Sequence, residues 1–327
     1  MKFLTATGAA VLYGLSARGV FGMVKPLQIM SVSFLIVAPF VIGFITTFLI
    51  ARKKHISIVK AFFLPWLTSL AILIITLLAS IEGAICWVMI YPLFSIAAGF
   101  GGMVGNWFCR KRGHRRTISP EEEILDDTSG DLKIYIVMIL PFALGFFEGD
   151  NSWERSDITI NRSITIDASS KDVWYSILNI DSVDQGEKSD GITAWIGFPR
   201  HLETTLDSAK VGGERIATYE RGLFFKETIT QLEEEKLLAL KIDVDPHKIP
   251  PTVMDEHILI GGKHVDVYED IYKLNSDEDG SINLSISSRF MINTPFNWYT
   301  SIWAKYLMND LLDGQLELVK LRAESIN

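Results

Sequence analysis

The chain has 327 residues, a formal net charge of −8, 48% hydrophobic residues and two cysteines. The acidic balance gives no reason to expect nucleic acid as a partner. Cys86 and Cys109 both lie in or at the end of an apolar run, which excludes a disulfide framework and a cysteine-based metal site. Charge is unevenly spread: residues 27–50, 61–81 and 83–109 carry none, whereas the stretch from Glu148 onward has the mixed charge of a soluble domain.

A bilayer core about 30 Å thick needs about 20 apolar residues in helical form, because a backbone in lipid must satisfy its own hydrogen bonds. Leu27 to Ile50, Ala61 to Ile81 and Gly83 to Cys109 meet that requirement, and Gly99, Gly101, Gly102 and Gly105 allow the last to pack closely on a neighbour. Residues 3–24 form a further span interrupted by Arg18, which then needs a polar partner inside the bundle; a signal peptide is the rival reading. The run from Leu132 to Phe147, with Lys133 at its start and Pro141 within it, is a fifth candidate. An all-α transmembrane bundle of about four or five helices over residues 1–150 is the expectation.

Arg52, Lys53, Lys54 and Lys60 follow the second span, and Arg110, Lys111, Arg112, Arg115 and Arg116 follow the fourth, while the alternate loops hold Lys25 and Glu82. The bias of basic residues toward the cytoplasm puts both basic loops inside. Ser119-Pro120-Glu121-Glu122-Glu123 reads as a cap, a first-turn proline and first-turn acids, so a short cytoplasmic helix should follow. A crossing by the fifth run then delivers the second half to the outer, periplasmic face of a bacterial-type cytoplasmic membrane.

From Ile158 the pattern alternates. Ile158, Ile160, Ile164 and Ile166 mark a strand, and Ser169 or Ser170 caps a helix carrying Val173, Trp174, Ile177 and Leu178. Glu214 to Glu220, Leu223 to Gln231, Lys236 to Val244, His264 to Leu274 and Ile282 to Ile292 read as strands of an antiparallel meander, with Gly212-Gly213, Gly222 and Gly261-Gly262 among their turns. Asn297 to Arg322 is a long amphipathic helix with Trp298, Ile302, Trp303, Tyr306, Leu312 and Leu316 on or near one face.

This order, with Ile164-Thr165-Ile166-Asp167-Ala168-Ser169-Ser170-Lys171-Asp172-Val173-Trp174 at its opening, Gly213-Glu214-Arg215 and Gly222-Leu223-Phe224-Phe225-Lys226-Glu227-Thr228-Ile229 in the middle, and Asn297-Trp298-Tyr299 with Trp303 at its close, resembles the START-like, or SRPBCC (polyketide cyclase/dehydrase-type), superfamily over residues 157–324. The resemblance implies an α+β helix-grip fold, a curved antiparallel sheet wrapped around the C-terminal helix, with a mostly apolar cavity between them. It also implies a hydrophobic or lipid-like small molecule as ligand; since only some members are enzymes, fold does not settle activity. A membrane-tethered binding module is the leading expectation. A cyclase, dehydratase or hydrolase on a lipid-like substrate and a non-catalytic interaction protein are the alternatives. The bilayer and a hydrophobic small molecule are the expected partners.

Alternation assigns faces. Leu223, Phe225, Glu227 and Ile229 share one row of their strand, and Val265, Val267, Glu269 and Ile271 share one row of theirs. Glu227 and Glu269 are therefore the candidate acids, either as cavity groups with raised pKa or as partners of Arg215, Arg221 or Arg289. Phe198, Phe225, Tyr268, Arg289, Trp298 and Trp303 are the candidate ligand-binding residues, whereas Trp174 reads as core. His201, His247, His257 and His264 lack metal-ligand spacing, and no nucleophile elbow or phosphate loop is present, so neither metal nor cofactor is expected.

Overall fold

The computed structural model describes residues 2–52, 55–115, 123–148, 153–187, 190–249, 259–278 and 280–326. Lys53, Lys54, Arg116, the Ser119-Pro120-Glu121-Glu122 cap and His257 lie outside the described residues. The chain divides into two compact units, Met1–Glu82 with Trp87–Ser152 and Trp153–Asn327 with Gly83–Cys86.

The first unit is helical. Its elements are α1 (Lys2–Met23), a π-helical turn (Ser33–Val37) running into α2 (Ala38–Ala51), α3 (Ile58–Leu78), α4 (Ala84–Arg115) and α5 (Glu123–Glu148). Three helices among the described residues are long and apolar enough to cross a membrane: Ser33–Ala51, Ile58–Leu78 and Ala84–Arg110. The fifth apolar run is helical, but it continues the acidic Glu123–Asp131 stretch as one helix instead of following a separate short one, and its apolar part, Ile134–Glu148, is shorter than the three long apolar helices.

Several polar groups inside this unit are paired, among them its one internal Arg–Glu pair between described residues. Arg18 Nε forms an ion pair with Glu82 Oε1, so the charge that interrupts the first apolar run has the partner it requires. At the start of the π-helical turn that runs into α2, Ser31 Oγ accepts from Phe34 N at 3.1 Å, while the Glu148 carboxylate accepts from Val32 N at 3.1 Å and Ser33 N at 3.0 Å. A carboxylate at a helix N-terminus satisfies free N–H groups and opposes the helix dipole. The glycines of α4 meet backbone: a Cβ on Gly101 would lie 1.8 Å from Phe40 O, and a Cβ on Gly43 of α2 would lie 1.8 Å from Ala98 O.

The second unit is a seven-stranded antiparallel sheet with a long C-terminal helix, the elements a helix-grip fold requires. The strands are β1 (Ser156–Ile166), β2 (His201–Leu206), β3 (Glu214–Tyr219), β4 (Phe224–Glu233), β5 (Leu237–Asp243), β6 (Val265–Ser276) and β7 (Ile282–Ile292), in the order β1-β7-β6-β5-β4-β3-β2. The order is a meander from β2 to β7, closed on one side by β1 beside β7. Between β1 and β2 lie α6 (Ser170–Leu178), whose first turn Ser169 Oγ caps by accepting from Asp172 N at 3.2 Å, and the one-turn α7 (Ile192–Trp195). The sequence pattern announces neither β2 nor α7.

Helix α8 (Asn297–Ser325) buries Leu312, Leu316, Val319 and Ala323, spaced as one helical stripe, against the core of β1, α6 and β7. Its N-terminal half departs from the expected single face: Trp298 is 67% exposed, Ile302 62% and Tyr306 53%. Trp174 sits in the core.

Candidate functional site

The sheet, α8 and the segment around α7 enclose a cavity of about 150 Å³. Phe198, Phe225, Ile242, Val267, Leu311 and Leu312 supply its apolar wall. Its polar groups include Glu187, Thr193 on α7, Arg200, His201 on β2, Tyr219 on β3, Glu227 on β4, Asp270 on β6, Ser288 on β7, and Asp310 and Gln315 on α8.

One corner of the wall is held by α8 itself. The Asp310 carboxylate accepts from Ile192 N at 3.2 Å, Thr193 N at 2.9 Å and the Thr193 hydroxyl at 2.5 Å, tying α7 to the long helix. Gly191 makes this possible, since a Cβ there would lie 2.4 Å from Asp310 Oδ2. Thr193 O in turn accepts from Phe198 N at 2.8 Å and so fixes the segment that carries the Phe198 ring.

Arg215 and Glu227 are direct register partners on β3 and β4, and Arg215 Nε lies 2.7 Å from Glu227 Oε2. Arg215 is 1% exposed and Glu227 6%. The guanidinium also donates from Nη1 to Ile177 O at 2.8 Å and sits 6.0 Å from the centre of the Tyr272 ring, whose hydroxyl accepts from Gln315 Nε2. A buried charge needs this degree of pairing, because desolvation costs several kcal/mol per ion.

Asp270 is different. It is 9% exposed, faces Ser288 across the β6–β7 ladder and is hydrogen-bonded to it, yet its Oδ1 has no hydrogen-bond partner among the described residues. Burial pushes its pKa up to about 7; the Ser288 bond pulls the other way, and the Glu227 charge adds to the rise. His201 moves oppositely, down to about 4, first through burial and then through the Arg215 charge. Its Nε2 lies 2.7 Å from Thr204 Oγ1 and 3.0 Å from Glu203 O. Burial, with Glu227 nearby, also raises Tyr219. At neutral pH the cavity therefore presents a neutral imidazole, a phenol and a carboxyl close to its own midpoint.

The sequence-predicted residues separate into two groups. Glu227, Phe198 and Phe225 line the cavity. Glu269, Tyr268 and Arg289 do not: they belong to an outward-facing cluster in which the Tyr268 hydroxyl and Arg155 Nε each donate to Asp157 Oδ1 at 3.0 Å, and Arg289 Nε lies 3.8 Å from Glu269 Oε2. Trp298 meets Tyr299 edge-on at 5.7 Å between ring centres, and neither Trp298 nor Trp303 lines the cavity. A bulge moves the acid: the register shifts between Val267 and Glu269, so Val267 faces inward before it, whereas Asp270, Tyr272 and Leu274 face inward after it. Asp270, His201, Tyr219 and Asp310 were missed. Ser288 on the buried row of β7 was the available signal, since a polar side chain in an apolar row needs a buried partner. Among the described residues no group of three or more His, Cys, Asp or Glu side chains is placed to hold a metal ion.

No model of a known protein family matches the chain, and no curated protein matches it. Solved structures similar to it include a protein from Nitrosospira multiformis, at 17% identity over 52% of this chain and 100% of that chain, with a TM-score of 0.33. A START superfamily protein from Mycobacterium smegmatis is similar at 11% identity over 52% of this chain and 99% of that chain, TM-score 0.34. Truncated norcoclaurine synthase from Thalictrum flavum is similar at 13% identity over 52% of this chain and 95% of that chain, TM-score 0.33.

Proposed function

We propose that the chain is a membrane-anchored binding module, whose second unit takes a small hydrophobic molecule carrying a polar group. The observation that carries this reading is the cavity, whose mostly apolar wall holds a small set of polar side chains. A concave, mostly apolar pocket with a few convergent polar groups is the usual form of a small-molecule site. A volume of about 150 Å³ suits a guest of about one ring; an engineered apolar cavity of that size takes benzene.

In this reading residues 1–150 form the anchor and 157–324 the binding domain, with α1 and α5 joining the three long apolar helices as spans. The Arg18–Glu82 pair and the Glu148 cap support placing both among the spanning helices, since each neutralises a polar group there. The second unit then lies on the periplasmic side of a bacterial-type inner membrane. A tether makes physical sense for a ligand that partitions into lipid, because it raises the local concentration the cavity meets.

Organic extraction of the full chain purified in nanodiscs, followed by mass spectrometry, tests the binding reading: a stoichiometric small molecule is expected, and extracts identical to those from empty nanodiscs overturn it. Protease added to spheroplasts tests the topology, with degradation of the second unit expected and full protection reversing the orientation.

An enzymatic reading is favoured by one observation, the carboxyl of Asp270 with its midpoint near neutral pH inside the cavity. Under it Asp270, in place of Glu269, is the general acid or base. Turnover of the extracted molecule that vanishes in Asp270→Asn while binding persists would establish it; binding with no turnover by the wild type would remove it.

A further inference from the structure

Helix α8 carries two apolar rows, and only one of them meets the sheet. Its C-terminal half buries Leu312, Leu316, Val319 and Ala323 in the core. Its N-terminal half turns Trp298, Ile302 and Tyr306 outward, at 67%, 62% and 53% exposure. Positions four apart on a helix are surface neighbours, so the three form one continuous row with the exposed Lys305 beside it. One turn later the row stops: Asn309 and Asp313 occupy its continuation, and Asp313 holds Arg162 at 2.6 Å.

So short a row has too little area for a lasting contact with another protein. The three side chains present about 400 Å² at their observed exposure, since an aromatic side chain buries about 150–250 Å². A stable protein interface takes about 800 Å² from each partner. A lipid surface needs less, because a tethered domain meets it at high local concentration. The chemistry of the row also suits lipid. Tryptophan and tyrosine favour the bilayer interface, isoleucine enters the acyl boundary, and the lysine stem lets its ammonium reach headgroup phosphate.

The chain itself keeps this end of α8 within reach of such a surface. Ser33–Ala51 is long and apolar enough to cross a membrane, and the Glu148 carboxylate caps its start by accepting from Val32 N and Ser33 N. Glu148 therefore lies at one end of that helix. From Glu148 to Glu154 the chain spans at most about 20 Å at full extension. Glu154 O accepts from Asn297 Nδ2 at 2.5 Å, and Trp298 is the next residue.

We propose that the N-terminal half of α8 docks on the lipid bilayer, with Trp298, Ile302 and Tyr306 in the interface and Lys305 at the headgroups; this rests on the first unit being the membrane anchor. Two residues beyond Tyr306 the same helix begins to line the cavity, through Met308, Leu311 and Gln315. Docking thus sets one wall of the cavity beside the lipid phase.

The test is photo-crosslinking of the full chain in nanodiscs of phosphatidylcholine and phosphatidylglycerol. The photoreactive residue p-benzoylphenylalanine is placed at one position at a time, and adducts are identified by peptide mass spectrometry. In place of Ile302 it should acquire the mass of a phospholipid. In place of Ile74, 47% exposed on α3, it reports on the anchor and should do the same. In place of Tyr175, 61% exposed on α6 and outside the row, it should acquire none. Adding Trp298→Glu to the chain with the probe at 302 should remove most of the lipid adduct, with circular dichroism matching the wild type to establish the fold. A lipid adduct at 74 with none at 302, adducts at 302 to protein alone, an equal lipid adduct at 175, or an unchanged yield with Trp298→Glu overturns the docking and leaves the anchor standing. No lipid adduct at 74 overturns the anchor reading and the docking with it.

Discussion

Arg215 and Glu227 face each other across the β3–β4 ladder as a buried ion pair at 2.7 Å, directly behind the cavity wall that Glu227 helps to form. Each is the other's compensation. Removing one leaves an unpaired charge in a low-dielectric site, whereas removing both replaces two desolvated ions with apolar volume. Arg215→Met or Glu227→Gln alone should therefore cost about 3–5 kcal/mol, and Arg215→Met combined with Glu227→Leu far less than the sum. Hydrogen exchange at the β3 and β4 amides of the full chain measures this. Additive single effects would show that the pair is not coupled.

Asp270 and His201 should give opposite pH slopes. An aspartate in the unfolded chain titrates near 3.9, whereas Asp270 in the fold titrates at about 7. Between those values the native state holds a proton that the unfolded state has lost, so this residue's contribution to stability falls as pH rises through the window and is constant above it. His201 is depressed to about 4 from a usual 6.5, so its contribution is lost as pH falls from about 6.5 to 4. The two oppose each other in the wild type. Asp270→Asn removes the first, and the variant should gain on the wild type between pH 4 and pH 8 by about 2–4 kcal/mol, with the His201 slope then visible between pH 4 and 6.5. Denaturant unfolding at stepped pH checks this, and parallel wild-type and variant profiles would refute it.

Glu269 is the adjacent acid, and it should behave as a surface residue. Its ion pair with Arg289 is 3.8 Å long, between side chains that are 34% and 55% exposed. Exposed pairs contribute about 0–1 kcal/mol, so Glu269→Ala should move stability by less than about 1 kcal/mol and leave ligand binding in the cavity unchanged. A loss of binding in this variant, with the fold intact, would return Glu269 to the site.

Glu269 also marks where the sequence stops being legible. Short connections give the meander from β3 to β7, but neither β2 nor the place of β1 beside β7. The inward row of β4 with Phe225 and Glu227 and the inward row of β7 through Ser288 follow from strict alternation, because a strand's side chains change face at every residue. One bulge in β6 breaks that count, and every later residue of the strand changes face, which exchanges Glu269 for Asp270. Such a bulge has no dedicated residue here; it is set by pairing with β7. The same limit applies to Asp310, which reaches α7 over 117 residues of sequence to hold Thr193. In α8 the stripe from Leu312 to Ala323 is legible, but periodicity alone does not say that the sheet ends before Trp298 and Ile302.

In the helical unit the sharpest test lies at two glycines. A Cβ on Gly43 would stand 1.8 Å from Ala98 O, and one on Gly101 would stand 1.8 Å from Phe40 O; both obstacles are backbone and cannot swing aside as a flexible side chain would. Close approach of helix backbones through small residues is the main packing device where lipid removes the hydrophobic drive between helices. Gly43→Ala and Gly101→Ala should each force the two helices apart and lower the thermal midpoint of the full chain in nanodiscs. Gly8→Ala, at a position with nothing within 4 Å, should leave it unchanged or slightly raised, since alanine is the better helix former. The control matters because all three changes add one methyl group to a helix, and only its surroundings differ. If Gly43→Ala and Gly101→Ala are as well tolerated as Gly8→Ala, then α2 and α4 do not meet backbone to backbone at these positions.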